Sequence, residues 1–233
     1  MFMQISDVKI KKGIEIQSTD ALIIVDMQND FMPSGALPVA EGDLIVPDIN
    51  KLTEKFRAAG NCIVLTQDWH PPNHRSFASA HEGKAPYEPY STEGIGPILW
   101  PDHCVQGTTG ADFHPDLVTK YANVIIHKGT NPKIDSYSTF MENDKKTETG
   151  LSGYLRILGI KRIFICGLAL DYCVFYSAID GKNLGFDVVY VIDLTKPVGA
   201  PEGVVSNALE TMTAEGITFT NSEEIQKHRQ TTL

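Results

Sequence analysis

A chain of 233 residues with 42% hydrophobic content can bury a substantial core, and we read it as one large domain. A formal charge of -9 and a pI near 5.2, with no dense run of lysine or arginine, argue against a nucleic-acid partner, because a phosphate polymer would be repelled. No stretch approaches the ~18 apolar residues of a membrane span, and the first residues lack the basic and apolar regions of a secretory signal. The expectation is therefore a cytoplasmic protein, away from membranes, acting on a small neutral molecule.

In chain order, residues 8–16 alternate apolar and polar side chains and predict a short hairpin turning near Lys12-Gly13. Residues 1–19 form an amino-terminal appendage on this reading, and a candidate contact for a homo-oligomer. A strand over 21–25 runs into a Gly/Pro-rich loop, then a helix whose Ile45, Ile49, Leu52 and Phe56 recur at three- and four-residue spacing and which ends at Gly60. A strand over 62–66 follows. About 55 residues rich in Pro, Gly, His and aromatics separate it from the next strand, a length that is uncommon unless the segment binds something or covers a site. The remainder alternates strand 124–127, helix 148–159, strand 162–166, helix 172–184, strand 187–192, helix 202–215 and strand 217–219, with a polar, fraying tail over 223–233. The single domain thus spans 20–222. Several strands are apolar on both faces, as helix-covered sheets require, so the fold class is α/β, doubly wound, with a mainly parallel sheet and helices on both faces.

In such a sheet all strands point their carboxyl ends to one edge, where ligands bind. Four strands here end on reactive side chains: Asp26, the segment Asp68-Trp-His70, Lys128, and the segment leading to Cys173. Cys173 falls in the first turn of its helix, where unpaired N–H groups and the helix dipole are expected to lower a thiol's pKa and to hold an oxyanion. By itself it is as readily structural as nucleophilic. Asp26 alone could simply cap local backbone, and Lys128 alone could be a solvated strand end; at one edge with a thiol they suit a proton acceptor and a stabilising cation. Asp68 and His70, with His74 and His103, supply a carboxylate and up to three imidazoles, a set that leaves positions open on a divalent ion. His81, His114, His127 and His228 lack such company and read as surface or packing residues. Cys62 and Cys166 read as small buried hydrophobes, Cys104 has no assigned role, and no disulfide framework is expected. No G-x-G-x-x-G, no phosphate-binding loop and no G-x-S-x-G occurs, so a nucleotide cofactor and a serine nucleophile are not expected.

The motifs Val25-Asp-Met-Gln-Asn-Asp-Phe31, Gly35-Ala-Leu37, Glu41-Gly-Asp43, Asp68-Trp-His-Pro-Pro-Asn-His-Arg-Ser-Phe-Ala78, Trp100-Pro-Asp-His-Cys-Val105, Lys128-Gly129, Asp135-Ser-Tyr-Ser138 and Gly167-Leu-Ala-Leu-Asp-Tyr-Cys-Val174 are familiar. The chain that carries them closely resembles the nicotinamidases, also called pyrazinamidases, of the isochorismatase-like cysteine hydrolase superfamily. The resemblance runs from about residue 20 to 220. It implies a six-stranded parallel sheet (the isochorismatase-like hydrolase fold) and hydrolysis of nicotinamide to nicotinate and ammonia in NAD salvage, with pyrazinamide as a further substrate. It implies a triad of Asp26, Lys128 and Cys173. It also implies a divalent metal, Zn2+ first with Mn2+ or Fe2+ as alternatives, on Asp68, His70 and His103, with His74 a further candidate. A cis peptide at Leu168-Ala169 would turn the N–H groups of Ala169 and Cys173 toward the oxyanion, and Phe31, Trp100 and Tyr137 would enclose the ring. The sequence departs from many relatives at Leu170 and before residue 20. Two alternatives stay open: a related isochorismatase or N-carbamoyl amidohydrolase, which should not need the metal cluster, and a non-catalytic metal-binding scaffold.

Overall fold

Residues 2–226 are described by the computed structural model. Twelve main elements follow in chain order: β1 (Ile14–Glu15), β2 (Asp20–Val25), α1 (Val46–Ala58), β3 (Cys62–Asp68), β4 (Val124–Lys128), α2 (Leu151–Ile157), β5 (Arg162–Leu168), α3 (Cys173–Asn183), β6 (Asp187–Lys196), α4 (Val204–Ala214), β7 (Thr218–Thr220) and β8 (Ile225–Gln226). Six of the strands form one sheet in the order β4-β3-β2-β5-β6-β7, every pair parallel. β2 and β3 are buried at every position, and β5 at all but its first, because side chains on both faces meet covering elements. Helix α1 packs on β2 and β3, while α3 packs on β5, β6 and α4. Edge strand β4 alternates between exposed and partly buried positions until Lys128, which is fully buried.

Successive strands run outward from β2 to β4, and the chain then crosses back to lay β5 on the other side of β2. The order reverses there, so the connections leaving β2 and β5 diverge and open a crevice at their carboxyl ends. The close approach of these two strands depends on Gly167: its φ is 112°, and a Cβ would lie 2.1 Å from the Val25 carbonyl oxygen. The long segment after β3 folds over this edge in short turns and isolated bridges, among them Phe77 with Trp100 and His70 with Val105. A small apolar cluster of Ala78, Ile95 and Leu99 holds it together.

Three sequence expectations need correction here. Residues 8–16 do not form a hairpin: Ile10 bridges Phe219, and β1 pairs with β8, both in parallel. The alternating pattern is that of a two-faced extended strand, and the open edge of β7 together with the distant β8 satisfies its backbone. Gly13, at φ 64°, redirects the chain from one to the other. Val8, Ile14 and Ile16 are accordingly part of the core. Nor does the polar tail fray at its start, because Ile225 is buried and Glu223–Gln226 are held in a turn and β8; residues 227–233, with His228, lie outside the described residues. Finally, β6 continues to Lys196. The polar Asp193 interrupts the apolar run in the sequence, but Leu194 and Thr195 beyond it are buried.

Candidate active site

Asp26 is the first residue after β2, in a left-handed conformation (φ 48°) that turns its side chain back into the crevice. Thr66 on β3 donates to its Oδ1 at 2.6 Å and accepts its backbone N–H at 3.2 Å. Asp68 and Lys128 end adjacent strands and are register partners across the β3–β4 ladder. That register lets the lysine reach inward between two carboxylates. Its Nζ lies 2.7 Å from Asp26 Oδ2, is hydrogen-bonded to Asp68 Oδ1, donates to the Ser136 carbonyl at 3.0 Å and sits 3.4 Å from Cys173 Sγ. Asp26, Lys128 and Cys173 are all buried. The thiol, carboxylate and ammonium expected to meet at this edge do so.

Burial and charge oppose each other throughout this cluster. Burial alone would discharge Lys128, but Asp26 and Asp68 hold its pKa well above the usual lysine value. Burial raises Asp26 to about 6 despite the facing ammonium. Asp68 is also buried, yet Lys128 and then His70 hold it well below the ordinary carboxylate range. Cys173 differs from the sequence expectation of a lowered thiol. It does open α3, but burial pushes its pKa well above the usual value, Lys128 only partly offsets that, and Asp26 and Asp68 raise it further. Exclusion of water and two nearby carboxylates thus favour the protonated thiol, the reverse of the lowering expected from its place at a helix start.

The turn before α3 contains the expected cis peptide at Leu168-Ala169. Leu170, the departure from many relatives, anchors it: its N–H donates to the Lys196 carbonyl at 2.9 Å, and its carbonyl accepts from the Tyr190 hydroxyl at 2.9 Å. Among the described residues the N–H groups of Ala169 and Cys173 have no protein acceptor, and both residues line the central cavity.

Beside the thiol, Asp68 Oδ2 lies 3.7 Å from His70 Nε2 and 3.7 Å from His103 Nε2. The ring orientations are set from behind, with His70 Nδ1 3.0 Å from the Gly129 carbonyl and His103 Nδ1 2.8 Å from that of Pro101. A proton on each Nδ1 satisfies those carbonyls and leaves three lone-pair atoms converging, which is repulsive without a cation between them. Burial disfavours a charged His70, yet Asp68 draws its pKa upward, the same demand for positive charge. Two imidazoles and one carboxylate fit a divalent ion with positions left open. Gly129 makes this possible, since a Cβ there would stand 2.4 Å from the His70 ring. His74 stands behind His70 with both nitrogens engaged: Nδ1 with the Ser76 hydroxyl at 2.7 Å and N–H at 3.2 Å, Nε2 with the Ile134 carbonyl at 3.2 Å. Burial lowers its pKa to about 4, so it is neutral.

Phe31, Trp100 and Tyr137 all line the cavity, together with Leu37, Asp68, His103, Asp135, Ala169 and Cys173. Trp100 Nε1 donates to the Tyr137 hydroxyl, which donates on to the Gly96 carbonyl, each at 3.0 Å. The cavity is small, about 20 Å³. Sequence reasoning missed Thr66, Leu37 and Asp135, and it missed Gln28. The buried Gln28 amide brackets Asp68, accepting from its N–H and donating to its carbonyl, both at 2.8 Å. Gln28, Leu37 and Asp135 stand inside the motifs that carry the resemblance but received no role from it, and the only signal for Thr66 was its place two residues before Asp68. Among the described residues, His81, His114 and His127 take no part, His127 stacking on Trp69 at the surface. The four cysteines are free, and Cys104 ties the His103 loop down by donating its N–H to Asp30 Oδ2 at 2.7 Å.

The isochorismatase domain matches residues 20–224. A nicotinamidase of Acinetobacter baylyi is 46% identical over 205 residues, covering 88% of this chain and 94% of the relative. A nicotinamidase/pyrazinamidase structure from Acinetobacter baumanii is 44% identical with a TM-score of 0.85, covering 89% of this chain and 98% of that one. A pyrazinamidase of Pyrococcus horikoshii in complex with zinc is 43% identical with a TM-score of 0.70, covering 87% and 99%.

Proposed function

The chain belongs to the isochorismatase family, and from that premise we propose that it is a nicotinamidase, converting nicotinamide to nicotinate and ammonia and also accepting pyrazinamide. The observation that carries the reading is a buried thiol, carboxylate and ammonium within reach of one another, beside a two-histidine, one-carboxylate cluster, at the floor of an aromatic slot. A related hydrolase that works without metal would have no use for that cluster. The family's role in NAD salvage, and a cytoplasmic setting, belong to the same proposal.

Asp26 takes the proton of Cys173 as the sulfur attacks the carboxamide carbon. The pairing is matched, because a thiol held up by burial forms a thiolate only as its proton finds an acceptor, and a carboxylate oxygen of Asp26 lies within 4.8 Å of the sulfur. Lys128 stays charged and steadies both the carboxylate and the sulfur. The N–H groups of Ala169 and Cys173 receive the oxyanion, an effect worth about 3 to 4 kcal/mol per well-placed donor. Collapse expels ammonia with the proton from Asp26 and leaves a thioester. Asp26 then deprotonates water for attack on the thioester, nicotinate leaves, and the proton returns to sulfur. A zinc, manganese or iron(II) ion on Asp68, His70 and His103 would offer an electrophilic docking point for the ring nitrogen. Phe31, Trp100 and Tyr137 fix the ring plane, which removes much of the entropic barrier.

Ammonia release from nicotinamide, with and without a chelator, tests the whole reading. Chelation should abolish turnover and added zinc or manganese restore it. Cys173→Ala should fold yet lose at least a thousandfold in kcat, and turnover within about tenfold of the unsubstituted protein removes the nucleophile assignment.

A further inference from the structure

One buried carboxyl group in the cavity wall has no task in the chemistry above. Asp135 is 2% exposed and lines the cavity with Ala169 and Cys173. Its main chain is pinned on both sides, its N–H donating to the Gly94 carbonyl and its carbonyl accepting from the Asn143 N–H, each at 2.8 Å. Its Oδ1 accepts the Ser136 N–H at 2.9 Å. Its Oδ2 is buried and, among the described residues, has no hydrogen-bond partner and no cation within salt-bridge distance. The nearby groups are spent: Lys128 on Asp26, Asp68 and Ser136, and both nitrogens of His74 on Ser76 and Ile134. A second donor grouping of His70, His74 and Asp135 exists, but with His74 committed it offers no complete set for a metal of its own.

A buried acceptor without a donor costs free energy unless the guest supplies one. A carboxamide brings two N–H donors and no charge; the carboxylate formed from it brings only acceptors and a negative charge. We propose that Asp135 is a specificity-determining residue that makes the cavity favour the neutral, N–H-bearing amide over the anionic acid, so that hydrolysis itself converts a bound ligand into a repelled one. Discrimination by an unfavourable pairing with the wrong ligand needs no further contact with the right one. The inference rests on the amidase reading of this site.

The test is calorimetric binding of pyridine-3-carboxamide and pyridine-3-carboxylate to zinc-loaded Cys173→Ala protein, with and without Asp135→Asn, zinc content being measured in each. Asp135→Asn should bind the carboxylate at least fivefold tighter and hold the carboxamide within threefold, and product inhibition in the active enzyme should strengthen in parallel. Asp135→Glu, which keeps the carboxyl group, should keep the discrimination; Asp135→Ser replaces Asn if the latter does not fold. Equal shifts for both ligands, no shift for either, or loss of zinc from Asp135→Asn would overturn the inference. If protein with Asp135 intact binds neither compound, the amidase reading falls and takes this one with it. If it binds both and the substitution does not separate them, this inference falls alone.

Discussion

At the scale of single residues, this cluster works by setting burial against charge. Asp26 must be ionised to accept a proton, and burial holds its pKa near 6. The acid limb of kcat/KM should therefore fall as pH drops through about 6, well above the ordinary aspartate range, and an acid limb near 4 would remove Asp26 as the acceptor. Glu142, away from the converging metal-ligand atoms, shows the linked effect on stability. Burial raises its pKa to about 7, only partly countered by Lys128 and by Ser136, and its Oε2 has no partner among the described residues. The unfolded group ionises near 4.5. Between the two values the folded state binds the extra proton, so this contribution to stability is full below about 4.5 and is lost as pH rises through about 7. Glu142→Gln should flatten the pH dependence of Tm across that interval and raise Tm at pH 8, read by thermal denaturation at both ends.

Elements turn those residues into a site through register. Asp68 opposite Lys128 follows from the β3–β4 ladder, and Gln28 continues that order beyond the end of β2 by clamping the Asp68 backbone. Gln28→Ala removes three hydrogen bonds, one of them to the Ala111 carbonyl, and frees a ligand-bearing strand end. Zinc affinity should drop about 10- to 100-fold, as for other groups that orient metal ligands, and an unchanged affinity would show that the strand alone fixes Asp68. The six main strands were legible in the sequence as short apolar runs, and four of them lead into Asp26, Asp68, Lys128 and Cys173. The Asp68/His70 pair was legible because the two residues are two apart in an extended segment. What escaped was non-local. Asp135 sits in a loop with no periodicity, Gln28 is a polar residue whose partner is 40 positions away, and the thiol's pKa depends on carboxylates from two other strands rather than on its own helix. Position along an element says which way a side chain starts, but not what charge it meets.

At the scale of the whole molecule, the segments flanking the family domain close on each other at the edge opposite the cavity. β1 pairs with β8, Ile16 N–H donates to the Gln226 carbonyl, and Arg162, at the amino end of β5, binds the Glu15 carbonyl and forms an ion pair with Asp20. Lys55 on α1 donates to the Ser222 and Ile225 carbonyls. Among the described residues no helix is long and apolar enough to cross a membrane, and the buried faces of these flanking segments are spent on the core. Removing residues 1–15 would strip the buried Val8 and Ile14 and the bridge from Ile10, and expose the β7 edge. Two aliphatic side chains at about 1.5 to 3 kcal/mol each put the loss near 4 kcal/mol. For a domain of this size that is roughly 10 °C in Tm. The strands' carboxyl ends are untouched, so kcat and KM for nicotinamide at 25 °C should stay within twofold. Thermal melting paired with ammonia release measures both. A stable truncation would return residues 1–15 to the status of an appendage, whereas a changed KM would mean that the clasp and the cavity are mechanically coupled through the sheet.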